Sequence, residues 1–471
     1  MEPVTQSFIQ SFSKTSNFFK ITILLPITVI FLQNSAMATQ ASDAIVPEQH
    51  ALDTGDTAWM LISAALVLLM TVPGIALFYA GMVRKKNVLA TMMQSFSICC
   101  LISLLWVVIG YSLAFTTGYP WIGDLSKFML NGIMDQFHHG VDQGFVLGAD
   151  GPSPVIMTIP QSVYVLFQMT FIIISTAILI GSAAERIKYN AMCIFCVLWA
   201  LFVYVPVAHW VWSPNGWLAT LGAIDFAGGT VVHINAGIAG LVCAIVIGKR
   251  IGYQQNDLSP HNVGYAVIGA SLLWVGWFGF NGGSALGANG RAGIAMLVTQ
   301  IATAAGGVGW IIAEWYLRGK PTVLGVVSGA VAGLVVITPA AGFVMPGASL
   351  IMGLIGGGVC FWACSVLKPK LGYDDSLDAF GVHGIGGIVG ALLTGVFAYG
   401  PLSATDSDPS GISGSFTQLL VQASAVIATI IWSATISWIL LKVIDQVVGL
   451  RVDKDSEREG LDMALHNERI N

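Results

Sequence analysis

The chain has 471 residues, of which 55% are hydrophobic and only 10% are charged, and its formal net charge is −5. A soluble domain carries about 25% charged residues, so this sequence lacks the polar surface that a water-soluble protein of its length needs. The composition therefore excludes a soluble enzyme, a nucleic-acid-binding protein and a disordered scaffold. The seven cysteines all lie within apolar runs, which argues against a disulfide framework.

The N-terminal residues 1–38 are typical of a cleaved signal peptide. Lys14 and Lys20 precede a short apolar stretch at 21–32, and Ala36-Met37-Ala38 provides a cleavage site. The alternative is a first transmembrane helix, but the stretch is shorter than the ~20 residues that a span needs. We therefore expect a membrane domain over residues 39–445, followed by a C-terminal tail over residues 446–471.

Apolar segments of spanning or near-spanning length fill the rest of the chain. Because the backbone polar groups of a span must be satisfied within it, each segment is predicted to be a helix, so the fold is all-α. The eleven predicted spans are 57–81, 88–115, 159–181, 190–211, 227–248, 263–283, 292–317, 322–340, 347–367, 380–399 and 416–443.

The positions of Lys and Arg predict the orientation of these spans. Of the 20 Lys and Arg residues, two lie in the presumed signal peptide, and only Lys127 and Arg291 fall on one side of the bundle. All the others fall on the opposite side, at alternate loops and in the tail. Since cytoplasmic loops are enriched in Lys and Arg, we expect the mature N-terminus outside and the C-terminus in the cytoplasm.

A short motif recurs five spans apart. Val, His, Gly, Ile and Gly occupy the same offsets in 232–240 and in 382–390, so His233 and His383 are equivalent. Five is odd, so the two halves, 57–248 and 263–399, cross the membrane in opposite directions, and the long span 416–443 follows them. Such five-plus-five inverted repeats are common in transporters and channels, with the substrate path at the repeat interface.

The two histidines are therefore the first candidates for function. Ionisable residues inside a membrane are costly, and they usually face a cavity or each other. A single buried histidine is most often satisfied by a neighbouring carbonyl, but two at matching repeat positions favour a shared functional pair. Neutral imidazole carries one donor and one acceptor, so two rings can pass a hydrogen bond or a proton between them.

Acidic residues near these spans are expected to cap helices, to stabilise a cation or to form ion pairs. Asp225 either caps the start of its helix or stabilises a nearby cation through space, and Asp378 is expected to be a cap. Glu314 lies four residues before Arg318, a spacing that predicts an ion pair on one helix face. Cys193 and Cys196 have the spacing of a redox or metal motif, but they lie within a span with no polar support.

Aromatic residues are concentrated near the outer ends of several spans. Ser284 provides a hydroxyl group at the same depth. Most of the tryptophans are expected to be interface anchors. Ring faces also attract a small cation by roughly 0.5–2 kcal/mol, which allows a cation site without a fixed anion. The aromatic residues concerned are Phe167, Phe171, Trp210, Trp212, Trp274, Trp277, Phe278 and Phe280.

Several longer strings resemble one known family. They are 167–171 (FQMTF), 181–186 (GSAAER), 225–236 (DFAGGTVVHINA), 277–281 (WFGFN) and 380–384 (FGVHG), and the tail motif at 449–462 also fits. Together they resemble the ammonium transporter family, which includes the Amt, Rh and methylammonium permease proteins, from about residue 52 to 465. Trp212 resembles the Amt branch, because the Rh branch typically lacks a tryptophan at this position.

The resemblance implies an architecture and a set of site residues. The family is built as an eleven-helix protomer in a homotrimer, with one pore in each subunit. Phe171, Trp212 and Ser284 match the residues of an outer ammonium site, which Asp225 supports. Phe171 and Phe280 match the stacked rings that close the pore mouth, while His233 and His383 match the twin histidines of the lumen.

The resemblance also implies a function and partners. We expect uptake of ammonium, with methylammonium as an analogue. The cation is recruited and deprotonated, and ammonia then passes the histidines. Whether a proton follows ammonia through the histidines stays open. The expected location is the plasma (inner) membrane, and a PII-type regulatory protein is the expected partner at the cytoplasmic face. No catalytic residue, metal or cofactor is assigned, so we do not expect an enzyme. The segment 118–158, with His138 and His139, has no assigned role.

Three other hypotheses stay open from the sequence. A membrane ammonium sensor would use the same outer site without net flux. A channel for a small neutral solute such as urea would share the inverted repeat. A redox protein would use His233 and His383 as the two axial ligands of a haem.

Overall fold

A computed structural model describes residues 52–133, 144–149, 151, 154–404 and 409–470. The predicted signal peptide and the pair His138-His139 lie outside the described residues. The described remainder of segment 118–158 contains a 3₁₀ turn, Phe128–Leu130, and a two-stranded antiparallel hairpin of β1 (Val146–Leu147) and β2 (Val155–Ile156).

Helices make up nearly all of the described structure. In chain order they are α1 (Thr54–Met82), α2 (Lys85–Phe115), α3 (Gln161–Ala183), α4 (Tyr189–Thr220), α5 (Gly229–Ile247), α6 (Val263–Gly283), α7 (Gly290–Arg318), α8 (Val323–Ile337), α9 (Pro346–Leu371), α10 (Ala379–Phe397) and α11 (Phe416–Val447), followed in the tail by α12 (Lys454–Glu459) and α13 (Leu461–His466).

Each predicted span corresponds to one of the helices α1 to α11, but α8 is short. Within the described ranges, ten helices are long and apolar enough to cross a membrane. At 1.5 Å per residue, the 15 residues of α8 cover less than the ~30 Å of hydrocarbon that a full crossing needs. The all-α multi-pass membrane fold is thus confirmed, with ten long helices and one short one where eleven spans were predicted.

The helices pack by close backbone approach. In α3, which lies at the centre of the bundle, 89% of an 18-residue apolar stretch is buried, whereas in the corresponding stretch of the peripheral α11 only 33% is buried. The contact between α7 and α9 depends on small residues, because a Cβ on Gly357 would lie 2.1 Å from the carbonyl oxygen of Gly306. Lipid gives helices no hydrophobic reason to associate, so such small-residue contacts supply the packing.

One side of the bundle, which we call the basic face, is held by buried ion pairs. The Glu185 carboxylate, fully buried, accepts hydrogen bonds from Arg84, Asn87 and Arg250 at 2.8 to 3.0 Å. Arg250 also pairs with Asp374 at 2.8 Å. Burial alone would raise the pKa of Glu185, but Arg250 and Arg84 hold it below its ordinary value.

The start of the C-terminal tail is bound to this face of its own subunit through the main chain. The Lys188 N–H donates to Leu450, and the Val452 N–H donates to Arg186, so the tail lies antiparallel to the turn between α3 and α4. These bonds fix the first residues after α11 against the bundle.

The end of the tail caps a transmembrane helix. The Asp462 carboxylate accepts the N–H groups of Leu89 and Ala90, at 3.1 and 2.8 Å, near the start of α2. These N–H groups have no carbonyl partner one turn earlier, and a carboxylate also suits the positive end of the helix dipole. Asp462 therefore ties α13 to α2.

We expect Asp462→Ala to loosen the tail. Loss of a capping side chain costs about 1 kcal/mol, which corresponds to roughly a fivefold rise in the population with an undocked tail. Limited proteolysis of the purified protein should then cleave the tail about five times faster than in the wild type. Asp455→Ala is the control, since the Asp455 side chain is 95% exposed, and equal cleavage of the two variants would contradict the capping role.

Candidate functional site

The centre of the candidate site is the pair of histidines at matching positions of the repeat. His233 lies in a π-helical turn, Gly229–Ile234, that opens α5, and His383 lies in the corresponding turn, Ala379–Gly384, that opens α10. The two helices cross closely, because a Cβ on Gly237 would lie 2.3 Å from the backbone nitrogen of Gly384. Both rings are buried, and their centroids are 5.2 Å apart.

The two rings share one hydrogen bond. Their Nδ1 atoms are 3.2 Å apart, so one Nδ1–H donates a hydrogen bond and the other Nδ1 accepts it. If both rings are neutral, their tautomers must be complementary: one Nε2 is a bare acceptor and the other carries a hydrogen. The Nε2 atom of His233 is buried and has no protein partner. The pair therefore offers a donor and an acceptor to a small polar molecule.

An indole ring supports the first histidine. Trp277 stacks on His233 with centroids 5.3 Å apart and an angle of 16° between the planes. Its Nε1 donates to the hydroxyl of Thr338 at 2.9 Å. Because this bond fixes the rotation of the indole, Trp277 holds the His233 ring in its orientation. Sequence reasoning grouped Trp277 with the outer aromatic residues and did not assign this contact.

Three further aromatic rings continue from the histidines towards the other side of the bundle, which we call the opposite face. Phe280 lies 6.0 Å from His233 and stacks on Phe171 at 4.2 Å, with 18° between the planes. Phe171 in turn meets Trp212 edge-on at 5.6 Å. The rings thus form an unbroken series of contacts from the indole of Trp212 to the imidazole pair.

The Asp225 carboxylate, 7% exposed, is a helix cap. It accepts the N–H groups of four consecutive residues, 228 to 231, at 2.6 to 3.0 Å. Burial raises the pKa of Asp225, and the four donors offset part of that rise. Each carboxylate oxygen of Asp225 thus accepts two backbone N–H groups, which commits the side chain to capping this helix.

The backbone at Asp225 also fixes the outer tryptophan. The carbonyl oxygen of Asp225 accepts the Nε1–H of Trp212 at 2.8 Å, which holds the indole beside Phe171. Ser284, half-buried one turn beyond Phe280, donates its hydroxyl hydrogen to the Phe280 carbonyl at 2.8 Å. The lone pairs of the Ser284 oxygen therefore remain as acceptors at this end of α6.

The second half of the repeat has its carboxylate cap at a different residue from the one predicted. Asp375, not Asp378, accepts the N–H groups of Ala379 and Phe380, at 3.2 and 2.8 Å. Asp378 instead pairs with Lys368. The signal was present in the sequence, because Asp375 precedes His383 by eight residues, as Asp225 precedes His233. Burial, together with the charge of Asp378, raises the pKa of Asp375 to about 6.

One residue outside the repeat holds the segment before Asp225. Gln422 of α11 accepts the N–H of Ile224 at 2.8 Å and donates to its carbonyl at 2.7 Å. It also donates to the Ala391 carbonyl of α10 at 3.2 Å. Sequence reasoning missed Gln422, although an amide in an otherwise apolar span was the available signal.

The predicted ion pair and the metal alternatives can be compared with the geometry. Glu314 and Arg318 lie 3.4 Å apart, which confirms their pairing. Among the described residues, no group of three or more His, Cys, Asp or Glu side chains is placed to hold a metal ion. Metal–imidazole bonds of about 2 Å would hold two axial ligand nitrogens about 4 Å apart, so the Nδ1 atoms of His233 and His383, which are 3.2 Å apart and share a hydrogen bond, are not placed to bind one iron between them.

Comparison with known proteins places this arrangement in a family. The model described as Ammonium Transporter Family matches residues 58–470. The chain belongs to the ammonium transporter family. It is 48% identical to an ammonium transporter of Bacillus subtilis (strain 168) over 418 residues, covering 89% of this chain and 98% of that protein. An ammonium transporter of Aquifex aeolicus is 47% identical over 419 residues, covering 89% of this chain and 93% of that protein.

Two solved structures of this family resemble the fold. The crystal structure of Saccharomyces cerevisiae Mep2 aligns with a TM-score of 0.77 and 34% identity, covering 86% of this chain and 88% of that chain. A structure titled "Sensor Amt Protein" aligns with a TM-score of 0.77 and 29% identity, covering 88% and 98% of the two chains. Family membership and the multi-pass fold together make this protein a member of a class of membrane transporters.

The two carboxylate caps of this family member should differ in how much they stabilise it. An asparagine has one acceptor oxygen, so Asp225→Asn leaves two of the four N–H groups unpaired, whereas Asp375→Asn leaves one of two. Each buried unpaired donor costs about 1–3 kcal/mol. We therefore expect both variants to melt below the wild type in detergent, Asp225→Asn by about twice as much. Equal melting temperatures for wild type and Asp225→Asn would rule out the cap.

Proposed function

We propose that the protein takes up ammonium by recruiting the cation at Trp212, deprotonating it near Phe171 and Phe280, and conducting ammonia past His233 and His383. The observation that carries the proposal is the contact between the two imidazoles at the end of a series of aromatic rings. The ammonium transporters among the relatives support the choice of substrate.

Recruitment follows from the chemistry at the opposite face. The ring faces of Trp212 and Phe171 attract a monovalent cation by roughly 0.5–2 kcal/mol, more where water is excluded. Ser284 adds an acceptor, and the buried charge of Asp225 adds a through-space attraction. Ammonium donates directional hydrogen bonds and potassium does not, so an acceptor at this depth favours ammonium.

Deprotonation follows from the stack of rings beyond this site. Phe171 and Phe280 lie 4.2 Å apart, which leaves no space for a hydrated ion between them. Removing an ion from water costs several kcal/mol even after the protein relaxes, whereas neutral ammonia carries no such penalty. Separation of ammonium into ammonia and a proton therefore lowers the barrier at the stack. The rings then open transiently to let ammonia pass.

The imidazole pair supplies the polar contacts beyond the stack. One Nε2 accepts a hydrogen bond from ammonia and the other donates one, so the molecule keeps polar partners in an apolar surrounding. The shared Nδ1–Nδ1 bond also links the rings as a route for a proton. If the proton follows by this route, transport carries net charge, and if it returns to the outside, transport is electroneutral. A current in reconstituted vesicles separates these two cases.

The same proposal covers location and assembly. The distribution of Lys and Arg supports an N-terminus outside the cell, after removal of residues 1–38, and a cytoplasmic basic face in the plasma membrane. We further propose a homotrimer with one pore in each subunit. A PII-type protein is the proposed partner of the basic face and of the tail.

A sensor without net flux is the second candidate function. The structural similarity to a protein titled "Sensor Amt Protein", at 29% identity, is the observation that favours it. A sensor would share the recruitment site at Trp212 but would not move ammonium across the membrane. A small-neutral-solute channel is less well supported, because the cation-attracting rings would have no use in it.

The first test is uptake of labelled methylammonium by proteoliposomes. We expect saturable uptake by the wild type and a loss of at least about tenfold in His383→Leu, because an apolar side chain offers ammonia no hydrogen bond. Failure of the wild type to take up methylammonium, with binding retained, would support the sensor instead. His261→Leu is the control, since His261 lies in the loop between α5 and α6, outside the membrane-spanning helices.

His233→Asp should in addition admit potassium, and unchanged potassium exclusion would count against the imidazole route.

A second test addresses recruitment. Trp212→Leu removes the ring face, so its loss of 0.5–2 kcal/mol should raise the half-saturating methylammonium concentration by about 2- to 30-fold. Trp438→Leu is the matched control, because the Trp438 side chain is 52% exposed on the outer surface of α11. Equal half-saturation for the two variants would show that Trp212 is only an anchor.

A further inference from the structure

The two ends of the repeat share a hydrogen-bond pattern. Asp225 accepts the N–H groups four and five residues after it, and Asp375 does the same. Each aspartate stands eight residues before its histidine. The starts of α5 and α10 are therefore equivalent in detail, one at the opposite face and one at the basic face.

The side chains that contact these two aspartates from the preceding helix are chemically different. At the opposite face, Trp212 of α4 donates its Nε1–H to the carbonyl oxygen of Asp225 at 2.8 Å. At the basic face, the ammonium group of Lys368 in α9 donates a hydrogen bond to the carbonyl oxygen of Asp375 at 3.3 Å. Helices α4 and α9 are the fourth members of their halves. A lysine ammonium thus takes the place that an indole N–H takes at the other end.

The surroundings of Lys368 hold this ammonium in place. Its side chain is 17% exposed and forms an ion pair with the Asp378 carboxylate. The oxygens of Asp375 are occupied by backbone N–H groups, so the acceptors nearest to this point are already paired. Lys370, two residues further on, is exposed and lies outside this network.

We propose that Lys368 is a specificity-determining residue whose tethered ammonium excludes free ammonium from the basic-face end of the conduction path. This inference rests on the proposed function. A side chain that carries its own ammonium on a short flexible stem has an effective concentration in the millimolar range or above, so it outcompetes free ammonium for the same acceptors. Where Trp212 offers a ring face that attracts a cation, Lys368 places its own ammonium on the carbonyl oxygen of Asp375 and the carboxylate of Asp378, so these acceptors are already taken by a cation.

The two ends should therefore differ in how they saturate. Saturation reflects binding of the cation at the end from which it enters, so entry from the basic face should saturate at a higher concentration. At low concentration the rates from the two sides must agree, because a passive pathway obeys detailed balance. The asymmetry consequently belongs to the half-saturating concentration and not to the initial slope.

The experiment uses full-length protein in proteoliposomes that are sorted by orientation. An affinity tag on the C-terminus captures vesicles with the tail outside and leaves those with the tail inside. Initial methylammonium uptake is then measured against concentration in both fractions. For the wild type we expect half-saturation at least about tenfold higher in tail-outside vesicles.

Substitutions at Lys368 decide whether its charge causes this difference. Lys368→Met should lower the ratio between the two fractions at least threefold, with half-saturation from the opposite face unchanged. Lys368→Arg and the control Lys370→Met should keep the wild-type ratio. If Lys368→Met does not fold, Lys368→Gln replaces it, since glutamine retains a donor to Asp375 without the charge.

Two outcomes would overturn the inference: a wild-type ratio near one, or a ratio that Lys368→Met and Lys368→Gln leave unchanged. Either can occur with normal uptake from the opposite face, in which case the proposed function stands and only the role of Lys368 fails. Absence of wild-type uptake in both fractions would instead refute the proposed function, and with it the basis of this inference.

Discussion

The hydrogen bond between the Nδ1 atoms of His233 and His383 is the constraint on which the rest of the site depends. A separation of 3.2 Å is possible only because the backbones of α5 and α10 approach closely at Gly237 and Gly384. One ring must donate and the other must accept, so each tautomer determines the other. The stacking of Trp277 and its bond to Thr338 then fix the plane of the first ring.

This arrangement needs helices that begin within the membrane domain, and the buried aspartates make that possible. The first N–H groups of a helix have no partner in the helix itself, and burial makes each unpaired group costly. Asp225 satisfies four of them and Asp375 satisfies two. Both carboxylates are thereby occupied by the backbone. Under the proposed function, the ring faces and not a fixed anion would therefore bind a cation at the opposite face.

Much of this could be predicted from the sequence, and the reasons for the failures are physical. The lengths of the apolar segments predicted the helices. The repeated motif predicted that His233 and His383 are equivalent, because residues at the same offsets of two helices occupy the same positions on them. The misassigned cap shows the limit: Asp378 is nearer to the histidine in sequence, but its left-handed backbone, with φ of 57°, turns it towards Lys368. Gln422 was missed because Ile224, with which it forms two hydrogen bonds, lies 198 residues away along the chain. Contacts between distant segments depend on packing, which local pattern does not encode.

In an inverted repeat, the two ends of the path are built from equivalent segments. If both ends carried the same aromatic rings, both would bind a cation equally well. The difference between Trp212 and Lys368 removes this equivalence. In the proposed role, Lys368 occupies the Asp375 carbonyl and the Asp378 carboxylate, so a second cation finds no free acceptor there. Neutral ammonia needs no such acceptor, because it can itself accept a hydrogen bond from the lysine ammonium. In the proposed mechanism, the apolar stack of Phe171 and Phe280 makes the same distinction through the cost of dehydrating an ion, so both ends of the path select for neutral ammonia.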